Sequence, residues 1–345
     1  MVTGPSDLLP WLRTPLEQAL QRRAHALLLH GLGGVGQFEL GMALGRALLC
    51  ESEAPPRPCR RCPACRLLDA RAHPDFRALV PEALAIALGW VDDAGDADGA
   101  KLRTAKPSRE IRVEAVRAAI DWSHQTPSRG RGKVLLIHPA HAMNAVTANA
   151  LLKTLEEPPG SLRLVLCTTD PELLLPTLRS RCQRLRIESP APAEALSWLA
   201  SQGVGDPAVL LAAAGGRPLE ALALASEGLD ARRWTGLPRS IARGEADAFV
   251  GLAVPRIVDT LQKLCHDAMA RAAGGSGRYF DDAALPPPGP LPPLVAWSRS
   301  LTRVARNDEH PWQAALLADA LVIEAQRALT ATAPRASSFD TLPVS

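Results

Sequence analysis

The stretch "HALLLHGLGGVGQFELGMALGRALLC" (25–50) constrains the fold of this chain more than any other. A short apolar run enters a glycine cluster. It leaves as a pattern with Phe38, Leu40, Met42, Leu44, Leu48 and Leu49 at helical spacing. The spacing predicts a buried strand, a tight turn and an amphipathic helix. The pattern then repeats. "FRALVP", "GKVLLIHPA", "SLRLVLCTTD" and the end of "PELLLPTLRSRCQRLRIESP" read as strands. "CPACRLLD", "IRVEAVRAAIDWSHQT" and "NAVTANALLKTLEEPPG" read as helices, the last closed by Pro158, Pro159 and Gly160. Strand and helix therefore alternate over 25–188, which predicts a parallel sheet covered by helices on both faces. Strands that are apolar at consecutive positions belong in such a sheet.

From 190 the character changes. "APAEALSWLASQG", "DPAVLLAAAGG" and "RPLEALALASEG" read as short helices to about residue 230. Longer helical patterns follow over 252–273, 294–306 and 311–331, interrupted by "ALPPPGPLPP" at 284–293. Residues 87–108, rich in Gly, Asp and Lys without periodicity, read as an exposed insertion.

The glycine cluster poses the first chemical question. A phosphate-binding loop has Gly, four residues, Gly, Lys and then Ser or Thr. Gly31 and Gly36 hold the glycine spacing, but Gln37 and Phe38 stand at the next two positions. The lysine would place a cation on the β- and γ-phosphates, and the hydroxyl would hold Mg²⁺. Gln37 has no charge, and Phe38 has no oxygen. The backbone N–H groups and helix dipole can still attract an anion weakly.

Cys50, Cys59, Cys62 and Cys65 form C-x8-C-x2-C-x2-C. Four thiolates at short reach suit one tetrahedral Zn²⁺ and leave no open position, so the expected zinc is structural. Arg57, Arg60, Arg61 and Arg66 would offset the surplus negative charge. An iron–sulfur cluster is the less natural occupant. Cys167 and Cys265 lie in apolar patterns and read as buried small residues.

Composition narrows the setting. The chain is 47% hydrophobic and 22% charged with a formal net charge of +3, ordinary for a globular protein and too mild to indicate nucleic acid alone. No signal peptide and no apolar run of about 18 residues is visible, so no membrane partner and a cytoplasmic, reducing location are expected. Five of the 39 basic residues are lysine, which hints at a GC-rich genome.

The cysteine module after the glycine-loop helix, "NALLKTLEEPP" (149–159) and "TLRSRC" (177–182) occur in one order. Together they resemble the bacterial clamp-loader subunits of DNA polymerase III, which are AAA+ proteins. The likeness covers most of 1–230 and, with the incomplete loop, is similar to the delta-prime class. The resemblance implies an α/β AAA+ domain over 1–188 with the zinc module at 50–65. It also implies a small helical lid over 189–232 and an all-α collar over 233–345. It implies motor (gamma/tau) and clamp-opening delta subunits as partners, with the sliding clamp and primed DNA met through the complex.

Motor subunits of this family carry an acidic pair where this chain has His138 and Pro139. Without those carboxylates, productive ATP binding is not expected. His138 and His141 are read as edge or core histidines ahead of a metal pair. The lid arginine of the motors aligns near Leu219, two residues from Arg217. Thr168 and Thr169 fall in the sensor region. The motif Ser180-Arg181-Cys182 is intact, and the resemblance makes Arg181 an arginine finger directed in trans at a neighbour's ATP. The plain alternative for Arg181 is a surface cation. Two other functions stay open on the residues alone: an ATPase with an atypical loop, and a zinc-dependent DNA-binding module.

Overall fold

The computed structural model describes residues 8–53, 56–90, 107–307 and 312–331. The chain divides into two compact units, 1–194 and 195–345. The first contains α1 (Arg13–Gln21), β1 (Ala26–His30), α2 (Gln37–Leu49), α3 (Pro63–Asp69), β2 (Phe76–Leu79) and α4 (Glu82–Ala87). It continues with α5 (Val113–Ser123), β3 (Lys133–Ile137), α6 (Ala145–Glu156), β4 (Leu162–Thr168), α7 (Pro176–Arg179) and β5 (Gln183–Arg186).

The five strands form one sheet in the order β2-β3-β4-β1-β5, with every neighbouring pair parallel. All five residues of β3 are buried, and Leu164 to Thr168 of β4 are too. This is why these central strands do not alternate in polarity: both of their faces are covered, whereas the edge strand β5 buries only Leu185. The register places His30 beside Thr168 on one side and Arg186 on the other. The segments after β1, β3 and β4 thus leave from one end of the sheet.

The apolar reading of β3 overlooks its first residue. Lys133 is buried, its ammonium 3.4 Å from Asp75 Oδ1 and 4.3 Å from the centroid of the Trp122 ring. Asp75 is fully buried and also accepts the N–H groups of Ser128 and Arg129 at 2.9 Å each. Charge buried this deeply persists only when paired and hydrogen-bonded. The pair ties the amino end of β3 to the turn preceding it.

Helix α6 starts at a capping residue, Asn144, whose side chain accepts the Thr147 N–H at 3.0 Å. It stops at the glutamates before Pro158. Residues 91–106 of the expected 87–108 insertion lie outside the described residues.

The second unit is helical. Helix α8 (Pro192–Ser201) runs into it, followed by α9 (Pro207–Ala213), α10 (Pro218–Ser226), α11 (Ala231–Ala242), α12 (Val254–Ala272), α13 (Leu291–Ala305) and α14 (Ala314–Thr330). Helix α11 is not anticipated by the sequence pattern, because Gly236 and Pro238 interrupt it. Burial of Trp234, Leu237 and Ile241 on one face holds it together. Trp234 stacks on Phe280 with centroids 4.6 Å apart and donates to Tyr279 O at 3.0 Å. Among the described residues no single helix is long and apolar enough to cross a membrane.

Candidate functional site

The glycine turn leaves β1 at the carboxyl end of the sheet, where open α/β folds bind ligands. Its glycines are required by space and by backbone angle. A Cβ on Gly31 would lie 2.4 Å from Ile187 O. Gly36 has φ +105, and a Cβ there would lie 2.9 Å from both Leu9 and Leu12. Those leucines belong to an N-terminal segment that covers the turn, and Trp11 Nε1 fastens it by donating to Val35 O at 2.8 Å. The sequence reading missed this cover. The only signal was an apolar "LLPWL" ahead of α1.

Gln37 begins α2, yet its side chain folds back into the turn. Its Nε2 donates to Gly31 O at 2.6 Å and to Leu32 O at 2.7 Å, and the residue is buried. An amide donor at this position therefore braces the loop from inside, where a lysine would extend toward a phosphate.

Phe38 lies on His138, ring centroids 4.8 Å apart, and near Trp90 at 5.7 Å. Phe38 and His138, which stand where the sequence reading expects a hydroxyl and an acid, are thus two rings in contact. Burial, with the neighbouring His141 adding to it, lowers the His138 pKa to about 4, so the imidazole is neutral near pH 7. His141 Nδ1 pairs with Thr168 Oγ1 at 2.9 Å, and burial also lowers its pKa. Thr168 is fully buried and closes a local turn by donating to Asp170 O at 3.0 Å. Thr169 is exposed, its methyl beside Gly33.

Arg181 sits at the other end of the sheet. It precedes β5, whose Gln183 pairs with Leu27, whereas Gly31 follows His30. At about 3.3 Å per strand residue, the two levels are separated by roughly 15–20 Å. Arg181 Nε donates to Glu156 Oε1 at 2.6 Å, and Nη2 reaches the same oxygen. Nη1 donates to Thr177 O at 2.8 Å. Ser180 is exposed and ends α7, donating to Thr177 O at 3.1 Å. Cys182 is buried, which pushes its thiol up to about 12 and leaves it a packing residue. Within the helical unit, Arg217 Nε is held by Ala214 O at 2.7 Å.

The four clustered cysteines come together. Their sulfur atoms all lie within 4.8 Å of one another, and Cys50 Sγ and Cys62 Sγ are 4.0 Å apart. Ligands about 2.3 Å from a tetrahedral ion stand about 3.8 Å apart, so the set can hold a metal ion. Local backbone supports it: the N–H groups of Cys59, Cys62 and Cys65 each point at a preceding cysteine sulfur at 3.4 Å. The N–H groups of Arg61 and Cys62 lower the Cys59 pKa to about 6, and burial raises that of Cys65. Cys167 and Cys265 are buried, away from any such cluster among the described residues.

Comparison with known proteins follows this geometry. Residues 10–191 match the family described as DNA polymerase III, delta subunit. Over 234 residues the chain is 37% identical to DNA polymerase III subunit delta' of Pseudomonas aeruginosa, covering 66% of this chain and 64% of that protein. Over 224 residues it is 36% identical to subunit delta' of Escherichia coli (strain K12), covering 62% and 60%. DNA polymerase III subunit tau of Escherichia coli (strain K12) is 34% identical over 188 residues, 54% of this chain and 25% of that protein. The matched region thus spans less than two thirds of the delta-prime relatives' own length. The family match runs over more than half of the chain and its relatives include delta-prime subunits, so this chain belongs to the DNA polymerase III delta-subunit family and is delta-prime-like.

Proposed function

We propose that this chain is a non-catalytic, stator-type subunit of an AAA+ clamp loader that places a sliding clamp on primed DNA. In this reading it assembles with gamma/tau motor subunits and a delta subunit, and meets the clamp and DNA through that assembly. Its own glycine turn hydrolyses nothing. Gln37 is committed to carbonyls of the turn, and Phe38 and His138 fill the place of a Mg²⁺ ligand and an acid.

The observation that carries the reading is the position of Arg181. It lies at the end of the sheet opposite the chain's own glycine turn, so a role at a nucleotide has to be in a neighbour's site. A guanidinium on a γ-phosphate stabilises charge spreading over its oxygens in the transition state, an effect of about 10³–10⁵ in related NTPases. Glu156 holds the fork of Arg181 meanwhile, and a phosphate would replace that carboxylate as acceptor.

The cysteine set is assigned to one structural Zn²⁺ held by Cys50, Cys59, Cys62 and Cys65. When bound, the ion would close the loop between α2 and α3. The division of the helical part into a lid (189–232) and a collar (233–345) belongs to the same proposal.

The test is reconstitution with motor and clamp-opening subunits. Arg181→Ala is expected to lower DNA-stimulated ATPase while assembly, read by gel filtration, persists. Unchanged ATPase would overturn the finger. Micromolar ATP binding with Mg²⁺-dependent hydrolysis by the isolated chain would overturn the stator.

A further inference from the structure

The boundary proposed between lid and collar, 232/233, falls inside a helix. Asp230 caps α11 by accepting the Arg233 N–H at 2.7 Å, so residues 231–233 are its first turn. Hinges form at loops or element ends that absorb backbone rotation, and domains part at exposed linkers. The connection ahead of α11 is no such linker. Leu229 is fully buried, and Gly228 O accepts from Arg233 Nη1 at 3.2 Å. Nη2 of the same arginine donates to Ala248 O at 2.5 Å, beyond the far end of α11.

A charge network also crosses from α10 to α12. Arg256 forks onto Glu227, with Nε 2.6 Å from Oε2 and Nη2 3.0 Å from Oε1. Its Nη1 donates to Glu220 Oε1 at 2.5 Å. Arg256 lies in the first turn of α12, and Glu227 is the C-cap of α10. A cation at a helix start and an anion at a helix end both oppose the helix dipole. Neither helix by itself favours its charge there, and the pair between them accounts for both. The Arg256 side chain is 14% exposed and that of Glu220 23%, so salt screens this contact less than a surface pair.

A contact of another kind lies at the opposite end of α10. Gly215, in the turn before it, faces the Tyr279 ring: a Cβ there would lie 3.1 Å from Cε1. Tyr279 is fixed in turn by α12. Its fully buried Asp267 accepts the N–H groups of Arg278, Tyr279 and Phe280 at 2.9, 2.7 and 2.8 Å.

We infer, on the lid and collar division proposed above, that Arg256 and its two glutamates latch α10 to α12, so that lid and collar turn as one body. The bidentate fork fixes direction as well as distance. Tyr279 against Gly215 holds the other end of the same helix, so α10 is gripped at both termini.

Hydrogen exchange of the full chain, followed by mass spectrometry, tests the latch without any partner subunit. Segments that open together exchange together, so α10 and α12 should fall in one slow class. Arg256→Ala should speed exchange over 218–228 by about tenfold or more and leave β4 unchanged. Glu220→Gln combined with Glu227→Gln should act alike, and joining them to Arg256→Ala should add nothing, as expected of residues in one network. Where Arg256→Ala loosens β4 as well, Glu227→Gln decides alone. That side chain is 40% exposed, and its loss should still speed 218–228 without touching β4. The latch is refuted if α10 exchanges far faster than α12 in the unaltered chain, if Glu227→Gln leaves 218–228 unchanged, or if the arginine and glutamate effects add. Unchanged ATPase in Arg181→Ala would overturn the finger and leave these exchange rates as they are, so the two failures are distinct.

Discussion

The ring of Phe38 lies on the imidazole of His138, centroids 4.8 Å apart and planes inclined by 33°. Phe38 lies in the first turn of α2 and His138 directly follows β3, a hundred positions later. Neither residue offers the hydroxyl or carboxylate that a metal-bound nucleotide would require.

That contact makes the fold sensitive to acid. The folded chain holds His138 neutral, with a pKa lowered to about 4 chiefly by burial, and the unfolded chain takes up a proton below about 6.5. Stability is therefore full above pH 6.5 and is lost as pH falls toward 4. At 1.36 kcal/mol per unit, this one group accounts for roughly 3 kcal/mol across the window. Burial lowers His30, His73 and His141 in the same direction. Urea unfolding at pH 7 and at pH 5 should show the loss, and His138→Phe should flatten it. An unchanged slope in that variant would place the titration elsewhere.

Gln37 predicts a second effect. Gln37→Ala leaves the carbonyls of Gly31 and Leu32 without this donor, and the expected destabilisation is about 1–3 kcal/mol. Gln37→Lys should give no ATP binding in equilibrium titration, because Phe38 and His138 still supply neither a hydroxyl nor a carboxylate. Recovery of binding by that single change would refute this.

Arg181→Ala tests the finger itself, and Glu156→Gln tests how tightly it is held. The two side chains are 34% and 49% exposed, so the pair is worth about 0.2–1 kcal/mol. If a neighbour's phosphate must displace Glu156, Glu156→Gln should raise ATPase of the assembled complex, by at most about fivefold. A fall in ATPase would mean that Glu156 orients Arg181 for catalysis.

Metal content tests the cysteine set. The purified chain should carry one zinc by elemental analysis, and Cys62→Ser should lose it and melt at lower temperature. Metal-free protein with an unchanged melt would refute a structural ion.

Asp75 carries the last prediction. Asp75→Ala strands Lys133 in the core and frees the N–H groups of Ser128 and Arg129. Breaking a buried pair from one side costs about 3–5 kcal/mol, measurable as a shift in urea midpoint.

Much of this molecule is written locally. Apolar runs of strand length, helix-period segments and the glycines between them determine a parallel sheet, because the period of burial is a property of neighbouring residues. The close spacing of Cys59, Cys62 and Cys65 brings their sulfurs together for the same reason. The lack of a lysine and a hydroxyl after Gly36 is likewise plain from the residues alone.

What fills those positions was decided by tertiary structure. Nothing near Gln37 in sequence says that its amide turns inward, and nothing near Phe38 says that it meets His138. The ion pairs of Arg181 with Glu156 and of Lys133 with Asp75 join residues 25 and 58 positions apart. Such contacts depend on strand order and register. The order β2-β3-β4-β1-β5 sets β5 beside β1, and the parallel register then puts Arg181 and the glycine turn at opposite ends of the sheet. Helix α11 makes the same point: burial of its apolar face outweighs the Gly and Pro that break its pattern in sequence.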